Sequence, residues 1–130
     1  MRIIHFSDIH AGGVAEDWMA YLDKRWVGVF NYTWRRQFQH DLSRLEKAID
    51  YIIADRPDLV VCTGDLTSTG QPGEFEKVRV VLDRLLDAGV PMLYVPGNHD
   101  FYVYRTKCVN AMKSMVERLN GGRYTFKQLP

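Results

Sequence analysis

Cysteine is scarce in this sequence. Only Cys62 and Cys108 occur in 130 residues, and they do not form a C-x-x-C pair. Nothing therefore suggests an extracellular disulfide scaffold, although a single bridge between the two stays open. Cys62 lies in an apolar run and reads as a small core residue. Neither sign of charge dominates: 17 basic and 16 acidic residues leave a formal net charge of +1. That balance argues against a dedicated nucleic-acid binder, and no nucleic-acid partner is expected. No apolar run approaches the ~18 residues that a membrane span requires. The first apolar stretch, Ile3-Ile4, is too short for a signal-peptide core, so a cytoplasmic location is expected. Internal repeats and low-complexity stretches are also missing.

What remains is an ordinary globular composition, with 46% hydrophobic and 25% charged residues. The length suits one domain. Three short apolar runs read as strands: Ile3-Ile4-His5-Phe6, Leu59-Val60-Val61-Cys62 and Met92-Leu93-Tyr94-Val95. Their near-continuous apolarity predicts a sheet covered on both faces. Helical stripes separate them. Leu42, Leu45, Ile49, Ile52 and Ile53 share one face, Ser43 and Glu46 stand at capping-box spacing, and Pro57 closes the segment. Phe75, Val78, Leu82, Leu85 and Leu86 form a second stripe that Gly89 ends. Val109, Met112, Val116 and Leu119 form a third, stopped by Gly121 and Gly122. Alternation of strand and helix predicts an α/β protein with a mainly parallel sheet and right-handed crossovers. The tail Tyr124 to Leu129 is a candidate fourth strand.

Each predicted strand runs into a cluster of polar, ligand-type residues. These are Ser7-Asp8-Ile9-His10, Thr63-Gly64-Asp65-Leu66-Thr67 and Pro96-Gly97-Asn98-His99-Asp100. Parallel strands place all three clusters at one sheet edge, where open α/β sheets bind their ligands. Carboxylate and imidazole donors without thiolate suit Mn, Fe or Zn. In extended backbone, Asp8 and His10 point the same way and can hold one ion. Gly64 and Gly97 permit tight turns that carry Asp65 and Asn98 inward. Taken singly, Asp8 with His10 reads as a strand-end cap and a surface imidazole, and Gly64-Asp65 as an ordinary turn, whereas Gly97-Asn98-His99-Asp100 reads as a ligand loop rather than a turn; the three together point to a metal site. His5 reads as a sheet residue, and His40 as solvated or near a helix cap.

D-x-H, then G-D, then G-N-H-D, each after a strand, resembles the calcineurin-like metallophosphoesterases. The extended match around Val61 to Thr67 and Tyr94 to Pro96 is most similar to their bacterial phosphodiesterase-type branch. The resemblance implies a hydrolase that cleaves phosphodiester or related phosphate ester bonds with water activated by a dinuclear metal centre. It implies that Asp8 and His10 ligate the first metal, that Asp65 bridges both, and that Asn98 ligates the second. His99 is then the catalytic residue, meeting the phosphate and assisting the leaving group. Asp100 orients the loop or His99, and Gly64 and Gly97 shape the turns. By the same resemblance, two divalent ions held by these residues would stabilise the attacking and leaving oxygens of an in-line displacement.

The family pattern also calls for an isolated histidine and a G-H-x-H pair in the second half of its αββα sandwich. This chain has four histidines, His5, His10, His40 and His99, and no G-H-x-H. Residues 1–130 are therefore expected to be a single incomplete domain, the N-terminal half of that sandwich in the order β-α-β-α-β-α. Weak or partial metal occupancy follows, and so does the alternative of a non-catalytic fragment or a phosphate- or metal-binding module. An uncovered sheet face makes self-association an expected contact. The stretch at about 18–36, rich in Trp, Tyr, Lys and Arg, reads as an insertion whose rings pack on the domain. A membrane surface is its alternative partner.

Overall fold

The computed structural model describes residues 1–12 and 42–122. The aromatic and basic stretch 18–36, His40 and the candidate strand at 124–129 lie outside these residues. The three predicted strands form as β1 (Ile3–Phe6), β2 (Leu59–Cys62) and β3 (Met92–Tyr94). The helices are α1 (Ser43–Asp55), α2 (Pro72–Asp87) and α3 (Thr106–Leu119). The sheet order is β1-β2-β3 and both pairings are parallel. This is the α/β alternation that the apolar runs and helical stripes predict.

Burial alternates along each strand, which corrects the expectation of a sheet covered on both faces. Val60, Cys62, Met92 and Tyr94 are buried, and Ile4 and Phe6 pack against them. The same core takes Leu45, Ile49 and Ile52 of α1, Phe75, Val78, Leu82 and Leu85 of α2, and Met112, Val116 and Leu119 of α3. Each such side chain fully removed from water contributes about 1.5–3 kcal/mol. The opposite face carries Ile3, His5, Leu59, Val61 and Leu93, none of them buried. Runs of apolar residues misled here because β-branched side chains suit a strand on either face. His5 does sit in the sheet, with its Nε2 2.8 Å from the Thr63 hydroxyl.

The capping-box expectation at Ser43 is also corrected. Leu42 occupies the N-cap of α1, so Ser43 stands one position too far along. The capping box lies instead on α2, between Gln71 and Glu74, with Pro72 in the first turn. The helix ends behave as predicted, with Gly89, Gly121 and Gly122 all at positive φ. α2 packs against both α1 and α3. Arg84 pairs with Asp50 across the first contact, and Arg118 with Asp83 at 2.5 Å across the second. Cys62 and Cys108 are both buried, and no disulfide joins them. Burial pushes the Cys62 thiol up to about 12, which keeps it inert. Among the described residues, no helix is long and apolar enough to cross a membrane.

Candidate metal centre

Register decides where the ligands emerge. Phe6 pairs with Cys62 and Cys62 with Tyr94, so the three strands end level with one another. Beyond them the loops stay bonded. Asp8 N–H donates to the Gly64 carbonyl at 3.1 Å, His10 N–H to Asp65 at 2.8 Å and Ala11 N–H to Leu66 at 2.8 Å. Two loops thus run side by side after the ladder has ended.

This pairing carries a conformational cost that the sequence reading missed. Asp8, His10 and Asp65 all adopt positive φ, at 60°, 51° and 54°. The expectation that extended backbone aligns Asp8 with His10 is therefore corrected: both stand in the left-handed region. Asp and His enter it more readily than most residues, and such strain gathers at functional sites.

The geometry gathers His10, Asp65 and His99. One donor atom from each lies within 4.8 Å of the others. The imidazoles of His10 and His99 meet edge to face, with centroids 4.7 Å apart. Asp8 reaches this group through His10, with its Oδ1 3.5 Å from His10 Nε2. It is far more exposed than His10, with side-chain exposures of 66% and 17%. The Ser7 hydroxyl, and beyond it the imidazoles of His10 and His99, hold the Asp8 carboxyl below its usual range. Asn98 is exposed, between two residues that touch Asp65. On one side His99 N–H donates to Asp65 Oδ1 at 2.9 Å. On the other, Gly97 packs so close that a Cβ there would fall 2.3 Å from that oxygen. Gly64, at φ 99°, has the same constraint, since its Cβ would meet the Gly97 nitrogen at 2.2 Å.

Asp100 takes no place among the donors. Its carboxylate is buried and accepts four hydrogen bonds: Thr67 N–H and Oγ–H at 2.9 Å each, Tyr94 O–H at 2.8 Å and Gly97 N–H at 3.0 Å. Every lone-pair direction of the carboxylate is used. Asp100 so ties β3, the 97–100 loop and the 65–68 loop together. Sequence inspection missed Tyr94 in this role because it reads simply as a strand aromatic. It also missed Asn120, whose buried amide bonds both the N–H and the carbonyl of Tyr94 at 2.7 and 3.1 Å. Glu74 had a legible signal, three residues after Gln71 and two after Pro72. It accepts from Thr69 N–H at 2.9 Å and Gln71 N–H at 3.2 Å, fixing the loop that leads into α2.

Imidazole nitrogen and carboxylate oxygen, convergent and partly shielded, form a donor set that can hold a metal ion. Comparison with known proteins agrees. The family description "Calcineurin-like phosphoesterase" matches residues 1–125. Glycerophosphodiester phosphodiesterase GpdQ of Enterobacter lignolyticus is 44% identical over 48 residues, 37% of this chain and 16% of that protein. The DNA double-strand break repair protein Mre11 of Sulfurisphaera tokodaii is 30% identical over 101 residues, 76% of this chain and 22% of that one. Its namesake from Saccharolobus solfataricus is 28% identical over 102 residues, 77% and 23% respectively. The chain thus spans less than a quarter of the length of these relatives. With the strand-end motifs, the parallel sheet and the convergent donors in agreement, the chain belongs to the calcineurin-like phosphoesterase family.

Proposed function

We propose that this chain carries the metal-binding loops of a metal-dependent phosphoesterase that hydrolyses phosphodiester or related phosphate ester bonds. The convergence of His10, Asp65 and His99 at one sheet edge is the observation that carries the reading. We assign Asp8 and His10 to a first divalent ion, Asp65 to a bridging position and Asn98 to a second ion. A cation bound there supplies charge stabilisation to phosphoryl oxygens and lowers the pKa of water. The side chains of this protein hold and orient. His99 Nδ1 lies 2.9 Å from the Ser68 carbonyl, which leaves Nε2 to meet the phosphate or the departing oxygen. Asp65 anchors the His99 backbone while presenting its carboxylate. Phosphodiester chemistry recurs in the names of the relatives, which include two glycerophosphodiester phosphodiesterases and a cyclic-nucleotide phosphodiesterase.

The domain reading is part of the same proposal. The sheet face that is only half-buried among the described residues and the absence of G-H-x-H support residues 1–130 as one part of a larger two-sheet domain. Self-association through that face is the accompanying proposal, and sedimentation of a strict monomer at all concentrations would remove it. The short donor set favours a second reading, a metal-binding module without turnover. Calorimetric titration of the full chain with Mn²⁺ and Zn²⁺, beside hydrolysis of bis(p-nitrophenyl) phosphate, separates the two. About two ions per chain with metal-dependent turnover, both lost in Asp65→Asn, is the outcome expected for the enzyme. A single weak ion without turnover establishes the module. Hydrolysis that survives chelation overturns the metal mechanism.

A further inference from the structure

Ser68, three residues beyond Asp65, bonds the other two site loops through all of its polar groups. Its N–H donates to the Ala11 carbonyl at 3.0 Å. Its hydroxyl donates to the His10 carbonyl at 2.7 Å. Its own carbonyl lies 2.9 Å from His99 Nδ1. A carbonyl oxygen only accepts, so Nδ1 carries the proton of the neutral imidazole and Nε2 keeps its lone pair. His10, at φ 51°, is held at both ends of its backbone, by its N–H on the Asp65 carbonyl and by the Ser68 hydroxyl on its own.

We infer that Ser68 is a positioning residue, which sets the mutual placement of the His10 and His99 imidazoles. The inference rests on the phosphoesterase reading of those histidines and deepens it. The two halves of the role are chemically separate. Any residue at this position supplies the carbonyl that fixes the His99 tautomer. The side-chain hydroxyl supplies the donor that keeps the His10 carbonyl turned in the left-handed conformation, and alanine has none. Its neighbours Thr67 and Thr69 are committed elsewhere, to Asp100 and Glu74. Outer partners of this kind commonly change metal affinity about 10–100-fold when removed.

The test uses the full chain labelled with ¹⁵N-histidine, as wild type, Ser68→Ala and Ser68→Thr. Ring ¹⁵N shifts read the tautomers without metal, and calorimetry reads Zn²⁺ affinity. The Nδ1–H tautomer of His99 is expected in all three proteins. Ser68→Ala is expected to shift the His10 ring resonances and weaken Zn²⁺ binding about tenfold, and Ser68→Thr to restore both. An Nε2–H tautomer of His99 overturns the inference, as do His10 resonances unchanged in Ser68→Ala. Absence of Zn²⁺ binding in the wild type overturns the functional reading instead, while the ring shifts still decide the role of Ser68.

Discussion

The Tyr94 hydroxyl donates to Asp100 Oδ2 at 2.8 Å, in the interior, between the end of β3 and the loop that bears His99. Burial first, and then the Asp100 charge, pushes the Tyr94 phenol far above its usual range. The phenol therefore remains a donor at every pH the protein meets. A carboxylate held on four donors fixes the backbone on both sides of the site without facing it.

Asp100→Asn should thus cost more than Tyr94→Phe. The amide replaces two acceptor directions with donors aimed at donors, and each buried group left unpaired costs about 1–3 kcal/mol. A loss of about 2–4 kcal/mol is expected for Asp100→Asn, against about 1–2 kcal/mol for Tyr94→Phe. Urea unfolding of the two variants beside wild type checks the order.

Two glycines at the site should be far less replaceable than two at helix ends. A Cβ on Gly64 or Gly97 would lie under 3.0 Å from backbone atoms, whereas Gly89 and Gly121 have nothing within 4 Å. Gly89→Ala and Gly121→Ala bear only the cost of positive φ, about 1 kcal/mol. Gly64→Ala and Gly97→Ala should lose at least about 2 kcal/mol more, with reduced metal binding. Equal losses across the four would show that the loops yield freely.

Glu74 should make stability fall as pH rises. Burial raises its carboxyl from 4.5 to about 7, against the opposing pull of the Thr69 and Gln71 hydrogen bonds and Lys77. Between those values the unfolded chain has released the proton and the folded chain has not. The folded state is therefore favoured at the acid end, and this contribution is lost through the window and level above about 7. Relative to Glu74→Gln, wild type should lose on the order of 3 kcal/mol from about pH 4.5 to about pH 8. Paired denaturant titrations across that range read the difference; a constant gap would mean that the carboxyl titrates normally.

Arg56 closes α1 at φ 49°, with its N–H on the Ile52 carbonyl. Glycine enters this conformation without the Cβ penalty. Arg56→Gly is expected to stabilise by about 0.5–1 kcal/mol, seen as a rise of a few degrees in Tm. An unchanged or lower Tm would assign the Arg56 side chain a stabilising role of its own.

The order of elements was legible because local rules write it. Ile49 and Ile52 repeat at helical spacing, Val60 and Val61 favour strand, and Gly89 and Gly121 end helices by conformational freedom. The motifs Asp8-Ile9-His10, Gly64-Asp65 and Gly97-Asn98-His99-Asp100 were legible for a similar reason, since each lies at a strand end where a parallel sheet must gather them. Ser43 misled because capping depends on where the first turn begins, and one residue of shift moves the cap to Leu42. The difference in burial between the two sheet faces, seen among the described residues, did not show in the apolar runs because apolar residues stand on both sides of the strands.

By itself, then, the sequence determined which residue types stand at the carboxyl ends of the strands, and with them the chemistry available. Only the tertiary structure decided that Asp8, His10 and Asp65 turn left-handed, and that Ser68 and Asp100 hold the loops together. Those outcomes come from hydrogen bonds between segments roughly 30 to 60 residues apart. A backbone carbonyl has the same chemistry in every residue, so no residue name announces which distant donor it will accept.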